Sequence, residues 1–243
     1  MKAMIFAAGY GTRLKPYTDD KPKALVPVKG KPLLQWQIEH LKNYGFSEFV
    51  INVHHFADQV VEFLKKNDNF GCRVFISDES AELLDTGGGL IHAAQYLQGS
   101  DPFLIHNVDI VSQIDFNEML AHHQKKQPLA TVAVSNRKTS RYLWFDENMN
   151  LCGWENMNTG EQIALGKQYV SVKKLAYSGI QIVSPEIFKI YQQKGIFSII
   201  NMMLELASTQ KITAFMHSAS EFMDVGKAEH MQEAERLLSS IKY

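Results

Sequence analysis

Cysteine is scarce in this chain: only Cys72 and Cys152 occur, both in strand-like runs and neither at metal-ligand spacing. Two free buried thiols in a reducing compartment are expected, rather than a disulfide framework or a thiolate metal site. Long apolar runs are missing too. No stretch approaches the ~20 apolar residues of a membrane helix, and Gly9 breaks the N-terminal apolar run too early for a secretory leader. The expectation is a cytoplasmic protein with no membrane partner. Charge of either sign is not in excess, the net value being -1, which argues against a long nucleic acid as partner. Repeats, low-complexity tracts and Gly/Ser linkers are also absent. The 243 residues, 45% hydrophobic, are enough for one large domain or two small ones with a buried core.

What is present is concentrated between Met4 and Val28. Met4–Ala8 is a short apolar run ending at glycine, which predicts a buried strand. Gly9 and Gly11 follow, flanking Tyr10, with Thr12 and Arg13 after them. Glycines this close to a strand end let the backbone turn sharply and bring its N–H groups against an anion. Arg13 adds a planar fork suited to phosphate oxygens. Lys23 lies between Pro22 and Ala24, where Pro22 and Pro27 stiffen the loop. Between Arg13 and Lys31 six basic residues face two acidic ones, a local balance of +4. A positive patch on a neutral chain points to a small polyanion such as a nucleotide. The spacing fits neither a dinucleotide fingerprint nor a P-loop, because Leu14-Lys15-Pro16 stands where those need glycine or Gly-Lys-Ser/Thr.

Further along, helical and strand periodicities alternate. Pro32 opens a helix carrying Leu34, Ile38 and Leu41 and ending at Gly45. Phe49–Val53 and Cys72–Ile76 predict strands, with a helix around Val60, Phe63 and Leu64 between them. This order implies βαβ units, and hence an α/β fold: a doubly wound, mainly parallel, Rossmann-like mixed sheet flanked by helices. Ligands of such sheets sit beyond the carboxyl ends of the strands, where the Gly9–Arg13 loop falls. Leu129–Val134 and Tyr177–Val183 predict strands separated by a hairpin-rich insertion from Tyr142 to about Gln168. Helices at about 185–193 and 197–208, a strand at Ile212–Met216 and a terminal helix with Met231, Ala234, Leu237 and Leu238 complete the pattern. The whole is taken as one domain, with a nucleotide half to about Ser135 and a second-substrate half from 136 to 243.

Three further features bear on chemistry. Gly87-Gly88-Gly89 runs into a helix, which fits either close helix–sheet packing or a backbone surface for a flat base. The apolar run Pro102–Val108 predicts a strand ending in Asp109, and Glu221-Phe222-Met223 runs in the same way into Asp224, so both carboxylates fall at the expected ligand edge. Mg²⁺ bound to a nucleotide typically takes one or two protein carboxylates, which makes Asp109 and Asp224 the candidate metal pair. Asp224 also suits a helix cap before Lys227. The nine histidines, including the adjacent pairs 54–55 and 122–123, are expected to be structural or solvent-exposed, since neighbours point to different sides. Lys174 is a candidate for reaching the second-substrate pocket.

The string Ala7-Ala8-Gly9-x-Gly11-Thr12-Arg13-Leu14-x-Pro16-x-Thr18, then Pro22-Lys23-x-Leu25-x-Pro27-Val28, resembles the opening signature of the sugar-1-phosphate nucleotidyltransferases. The layout is most similar to the N-acetylmuramic acid 1-phosphate uridylyltransferase branch, and next to the mannose-1-phosphate guanylyltransferases. The resemblance implies transfer of a nucleotidyl group, from UTP or GTP by preference, to a sugar 1-phosphate. It further implies that Ala8, Gly9, Gly11, Thr12 and Arg13 hold the triphosphate, Lys23 the reacting phosphates, and Gly87 and Gly88 the base. Gly179 and Asp224 would contact the sugar phosphate, Asp109 and Asp224 would hold Mg²⁺, and Lys23, Arg13 and Asp109 would carry the catalysis. The expected assembly is a monomer or small homo-oligomer. Val108 stands where the family usually has glycine, which predicts a tighter approach to the metal edge; Lys227 replaces a threonine; and no Glu-Lys-Pro segment for the sugar is found. Rival readings are a non-catalytic nucleotide-sugar-binding regulator, a glycosyltransferase of similar topology, and a cytidylyltransferase acting on phosphocholine.

Overall fold

The computed structural model describes residues 1–166 and 171–240. The chain opens with β1 (Lys2–Phe6), a two-strand ladder of β2 (Pro27–Val28) and β3 (Lys31–Pro32), and α1 (Leu33–Asn43). Then come β4 (Glu48–Val53), α2 (Ala57–Lys66), β5 (Arg73–Asp78), α3 (Asp85–His92) and α4 (Ala94–Leu97). Next are β6 (Phe103–Asn107), β7 (Ile110–Ser112), α5 (Phe116–Lys126) and β8 (Ala130–Ser135). The insertion contributes β9 (Arg141–Phe145), β10 (Leu151–Asn156) and β11 (Gln162–Ala164). The chain returns through β12 (Lys173–Val183), α6 (Ile187–Ile190), α7 (Ile199–Ala207), β13 (Ile212–Met216), β14 (Phe222–Asp224) and α8 (Met231–Ser240).

The main sheet runs β11-β10-β9-β12-β6-β1-β4-β5, with β8 joined to β12 and β13 to β8. Pairs β6-β1, β1-β4, β4-β5 and β8-β13 are parallel, and β12 is antiparallel to its neighbours β6, β8 and β9. The mixed, helix-flanked sheet expected from the alternating pattern is thus what forms, with the hairpins β9–β11 as its extension. The end of the predicted insertion, residues 167 and 168, lies outside the described residues.

Core formation follows the alternation along the strands. Ala3 and Ile5 of β1 with Phe49 and Ile51 of β4 meet Leu34, Ile38 and Leu41 of α1 on one face. Met4, Phe6 and Val50 meet Leu90 and Leu97 and the α7 residues Met202 and Met203 on the other. Each such large side chain contributes about 1.5–3 kcal/mol by leaving water. Helix α1 ends where expected: Gly45 takes φ +80°, its N–H bonds the Lys42 carbonyl, and Phe46 N–H bonds the Leu41 carbonyl.

Local boundaries differ from expectation in several places. β1 stops at Phe6, because the Ala7 N–H leaves the ladder to bond the Asn52 side-chain oxygen at 2.7 Å. Pro32 stands at the N-cap of α1 with extended backbone, in register with Pro27 in the β2–β3 ladder, instead of forming the first helical turn. The predicted helix around 185–193 is only Ile187–Ile190. Cys152 is buried in β10, whereas Cys72 is half-buried just ahead of β5; both are free.

Candidate active site

The glycine loop emerges from β1 at the carboxyl edge of the parallel strands. A side chain at Gly9 would meet open space, so nothing packs over this part of the loop. Gly11 has φ +68°, and its carbonyl is held by the Thr18 hydroxyl at 2.9 Å. An added Cβ there would lie 3.0 Å from Thr18 and 3.1 Å from Lys23, so glycine lets the loop lie against the Lys23 turn. Thr12 and Arg13 then form a single 3₁₀ turn, exposed on the loop and anchored by fully buried Leu14.

Lys23 and Asp109 meet at 2.8 Å, with side chains 16% and 7% exposed. Burial pushes the Asp109 carboxyl up, but the Lys23 charge and hydrogen bond, helped by a backbone hydrogen bond and Arg13, outweigh it and hold the carboxyl below its ordinary value. Asp109 sits in the turn between β6 and β7, past the end of the strand on which it was expected. β7 pairs antiparallel with β14, placing Ile110 opposite Asp224, and the Val225 N–H bonds the Asp109 carbonyl at 2.8 Å. This short ladder is what brings the two aspartates together. Val108 does not crowd them, because its side chain is fully buried in the core beneath.

Gly226 lies at the point of convergence. A Cβ there would be 2.7 Å from Asp109 Oδ2, 2.7 Å from Asp224 Oδ1 and 3.1 Å from Arg13 Nη2. Arg13 Nη1 stands 4.0 Å from Asp224 Oδ2. Asp109 Oδ2, which accepts from Lys23 Nζ at 2.8 Å, and Asp224 Oδ1, which accepts from the Gly226 N–H at 2.7 Å, thus both approach Gly226; carboxylate oxygens suit a hard, oxygen-preferring cation using few protein ligands. Gly226→Ala is expected to push these flexible side-chain ends apart and lower kcat about 100-fold, the scale of a misplacement near 1 Å. Full activity in the variant would show that the close approach of the two carboxylates at Gly226 is not used.

Two cavities flank this group. The smaller, 150 Å³, is lined by Ala8, Gly9, Lys23, Asn52, Glu79 and Thr86, among others. The larger, 670 Å³, contains Arg13, Asp224, Arg137, Arg141, Asn156 and Tyr177 in its wall. Asn52 and Glu79, which sequence patterns did not single out, brace the smaller one. Asn52 Nδ2 donates to Glu79 Oε1 at 2.8 Å, and the Leu84 N–H donates to Glu79 Oε2 at 3.2 Å. Burial raises the Glu79 carboxyl above its ordinary value, opposed by these hydrogen bonds.

Other expected residues fall elsewhere. Gly87 and Gly88 open α3 and pack on the segment before α7; their N–H groups both go to the Phe197 carbonyl, at 2.9 and 3.2 Å. Added Cβ atoms would meet the Phe197 ring at 2.5 Å and the Gly195 carbonyl at 2.1 Å. Close packing therefore accounts for this glycine run, and Thr86, not Gly87 or Gly88, lines the cavity. Gly179 has φ +70° at an irregularity in β12, and its Cβ would strike Asn107 at 2.7 Å; it is a packing glycine beside the site. Lys174 pairs with buried Glu155 at 2.7 Å and does not line the larger cavity. Among the described residues no histidine lines either cavity, although His54 and His55 pack against the Tyr10 ring of the glycine loop.

Residues 2–143 match the family described as nucleotidyl transferase. Over 242 residues, spanning all of both chains, the protein is 30% identical to N-acetylmuramate alpha-1-phosphate uridylyltransferase of Neisseria meningitidis serogroup B. It is 32% identical to the mannose-1-phosphate guanylyltransferase catalytic subunit beta of Xenopus tropicalis, over 77% of this chain and 51% of that one. Among solved structures, HddC of Yersinia pseudotuberculosis superposes with TM-score 0.79 at 24% identity, covering 98% and 99% of the two chains. A putative glucose-1-phosphate thymidylyltransferase of Bacillus anthracis does so with TM-score 0.78 at 20% identity, covering 100% and 97%. The structural likenesses establish the shared fold, and the family match over residues 2–143 with the full-length sequence match places this chain in the nucleotidyl transferase family, among the sugar-1-phosphate nucleotidyltransferases.

Proposed function

We propose that the protein transfers a nucleotidyl group from UTP or GTP to a sugar 1-phosphate, releasing pyrophosphate. The observation that carries this reading is the convergence of Lys23, Asp109, Asp224 and Arg13 between two cavities, at the mouth of an uncovered glycine loop. The smaller cavity takes the base and the larger one the sugar phosphate. Gly87 and Gly88 set α3 close enough for Thr86 to form part of the base wall.

In the proposed reaction an acceptor phosphate oxygen attacks the α-phosphorus in line, and the bond to the β-phosphate oxygen breaks with pyrophosphate leaving. A phosphate monoester is already nucleophilic, so no general base is assigned. Lys23 offsets the charge of two anions forced together. The N–H groups of the Ala8–Arg13 loop and the Arg13 guanidinium stabilise the departing pyrophosphate. Asp109 fixes the Lys23 ammonium and, with Asp224, would hold Mg²⁺. That ion would supply charge neutralisation on the reacting phosphates. No protein–substrate bond forms, so catalysis is chiefly positioning and electrostatics.

A grid of nucleoside triphosphates against N-acetylmuramate, mannose and glucose 1-phosphates, with phosphocholine alongside and pyrophosphate release as readout, tests the reading. Turnover with UTP or GTP and one sugar 1-phosphate, dependent on Mg²⁺, is the expected outcome. Turnover confined to CTP with phosphocholine, or no pyrophosphate from any pair, would refute it.

A further inference from the structure

Arg137 belongs to none of the sequence motifs and lies in the loop between β8 and β9. Its half-buried side chain is nonetheless fixed in place. An Nη2 N–H donates to the Tyr177 carbonyl at 2.7 Å, and the guanidinium carbon sits 4.7 Å from the centre of the Phe222 ring. Arg137 forms no ion pair among the described residues: Asp224 attracts it from beyond contact and is itself nearest to Arg13. Burial pulls the guanidinium below its usual value, against the attraction of Asp224 and Tyr142. A half-buried cation with no ion pair in contact gains when an anion comes within hydrogen-bonding reach.

The wall of the 670 Å³ cavity supplies the context. It contains three arginines, Arg13, Arg137 and Arg141, against the single carboxylate of Asp224, and no lysine among the described residues. Arg13 is engaged with Asp224 on the glycine-loop side. Arg141 is exposed on β9, whereas Arg137 is the one held rigidly by backbone and ring. A planar, pre-positioned fork is the group best matched to a phosphate monoester. An acceptor phosphate lying between Arg137 and Asp224 would stand beside the Asp109–Gly226–Asp224 convergence, where the reaction is placed above.

We infer that Arg137 is the binding residue for the acceptor's phosphate, receiving it within the larger cavity opposite Asp224. This rests on the function proposed above, and the experiment separates the two. With the parent enzyme and its best substrate pair, KM is measured for nucleotide and acceptor independently, then again in R137Q and R137K. The expected result is an acceptor KM raised about 10- to 100-fold in R137Q, the size of a lost charge-assisted hydrogen bond pair. The nucleotide KM should change less than about threefold on the same scale. R137K, which keeps charge but loses fork and ring stacking, should fall between. A purely structural role would move both KM values and Tm together, and unchanged acceptor KM in R137Q with the nucleotide site intact would overturn the inference. If no substrate pair turns over, the proposed reaction fails, and thermal stabilisation by inorganic phosphate still decides the matter. Stabilisation of the parent that is lost in R137Q supports the site, and equal stabilisation of both, or none in the parent, refutes it.

Discussion

Replacing Lys23 by Ala, or Asp109 by Asn, is expected to lower kcat/KM by about 10³-fold, the upper range for removing one preorganised electrostatic group. The structure adds a complication that motif reasoning did not contain. The pair is largely buried, at 16% and 7% side-chain exposure, so each single change strands a charge away from water. Breaking such a pair typically costs about 3–5 kcal/mol. Loss of activity in a single variant would therefore be ambiguous. The double variant K23M/D109N resolves it, since removing both charges relieves the penalty while leaving the reaction without its cation and carboxylate. The expected pattern is low stability in the singles, near-parent stability in the double, and low kcat/KM in all three. Urea unfolding alongside pyrophosphate release checks it, and a stable double variant turning over near the parent rate would remove the pair from the mechanism. Because the Asp109 carboxyl is held low in the folded state, its contribution is present above its unfolded value and fades as pH drops through the folded one.

Stability should fall as this protein is acidified below pH 6.5, and a main cause is a set of buried imidazoles. His40, His106 and His123 are each lowered to about 4, in every case chiefly by burial. Smaller influences act on two of them: on His106 the Asn107 carbonyl and Asp109 oppose the shift while His40 adds to it, and on His123 neighbouring His122 adds while Glu186 opposes. In the unfolded chain each would titrate near its ordinary 6.5. Between that value and about 4 the unfolded state binds more protons, so stability falls as pH falls across this window. Each site is worth up to about 3 kcal/mol by the bottom of the window, so the three together are comparable with the roughly 5–15 kcal/mol of a typical domain. Glu79, raised by burial, works in the opposite sense as it protonates, but it is one group against three. The expected outcome is a urea midpoint that drops steeply from pH 6.5 to 4.5. The slope should be reduced by about one proton in His106→Asn, which cannot charge. A midpoint flat across that range would contradict the assignment.

How far the sequence foretold these features depends on how local each one is. The glycine loop, Lys23 and the first helix lie within one continuous segment, so spacing alone located them. The two aspartates were recognisable because each follows a short apolar run. The ladder that joins them, only three residues on each strand, was below what periodicity can resolve. Gly87 and Gly88 illustrate the opposite case. A glycine run is equally suited to a ligand and to a neighbouring chain segment, and here the neighbour is Gly195–Phe197, far away in sequence. Arg137 carried no local signal at all, since its partners Tyr177 and Phe222 come from separate strands. Asn52 and Glu79 were hidden for the same reason: a strand-end polar residue looks ordinary until the segment it braces is known.

The β7–β14 ladder has a consequence for how the enzyme comes into being. Synthesis proceeds from the amino end, so the glycine loop and Lys23 emerge first and Asp224 only with β14, the last strand described. Until that late strand docks, the nascent polypeptide has one acidic arm and no Gly226 notch. The grouping around Gly226 is therefore complete only once β14, the last strand described, has paired with β7 in the middle of the chain.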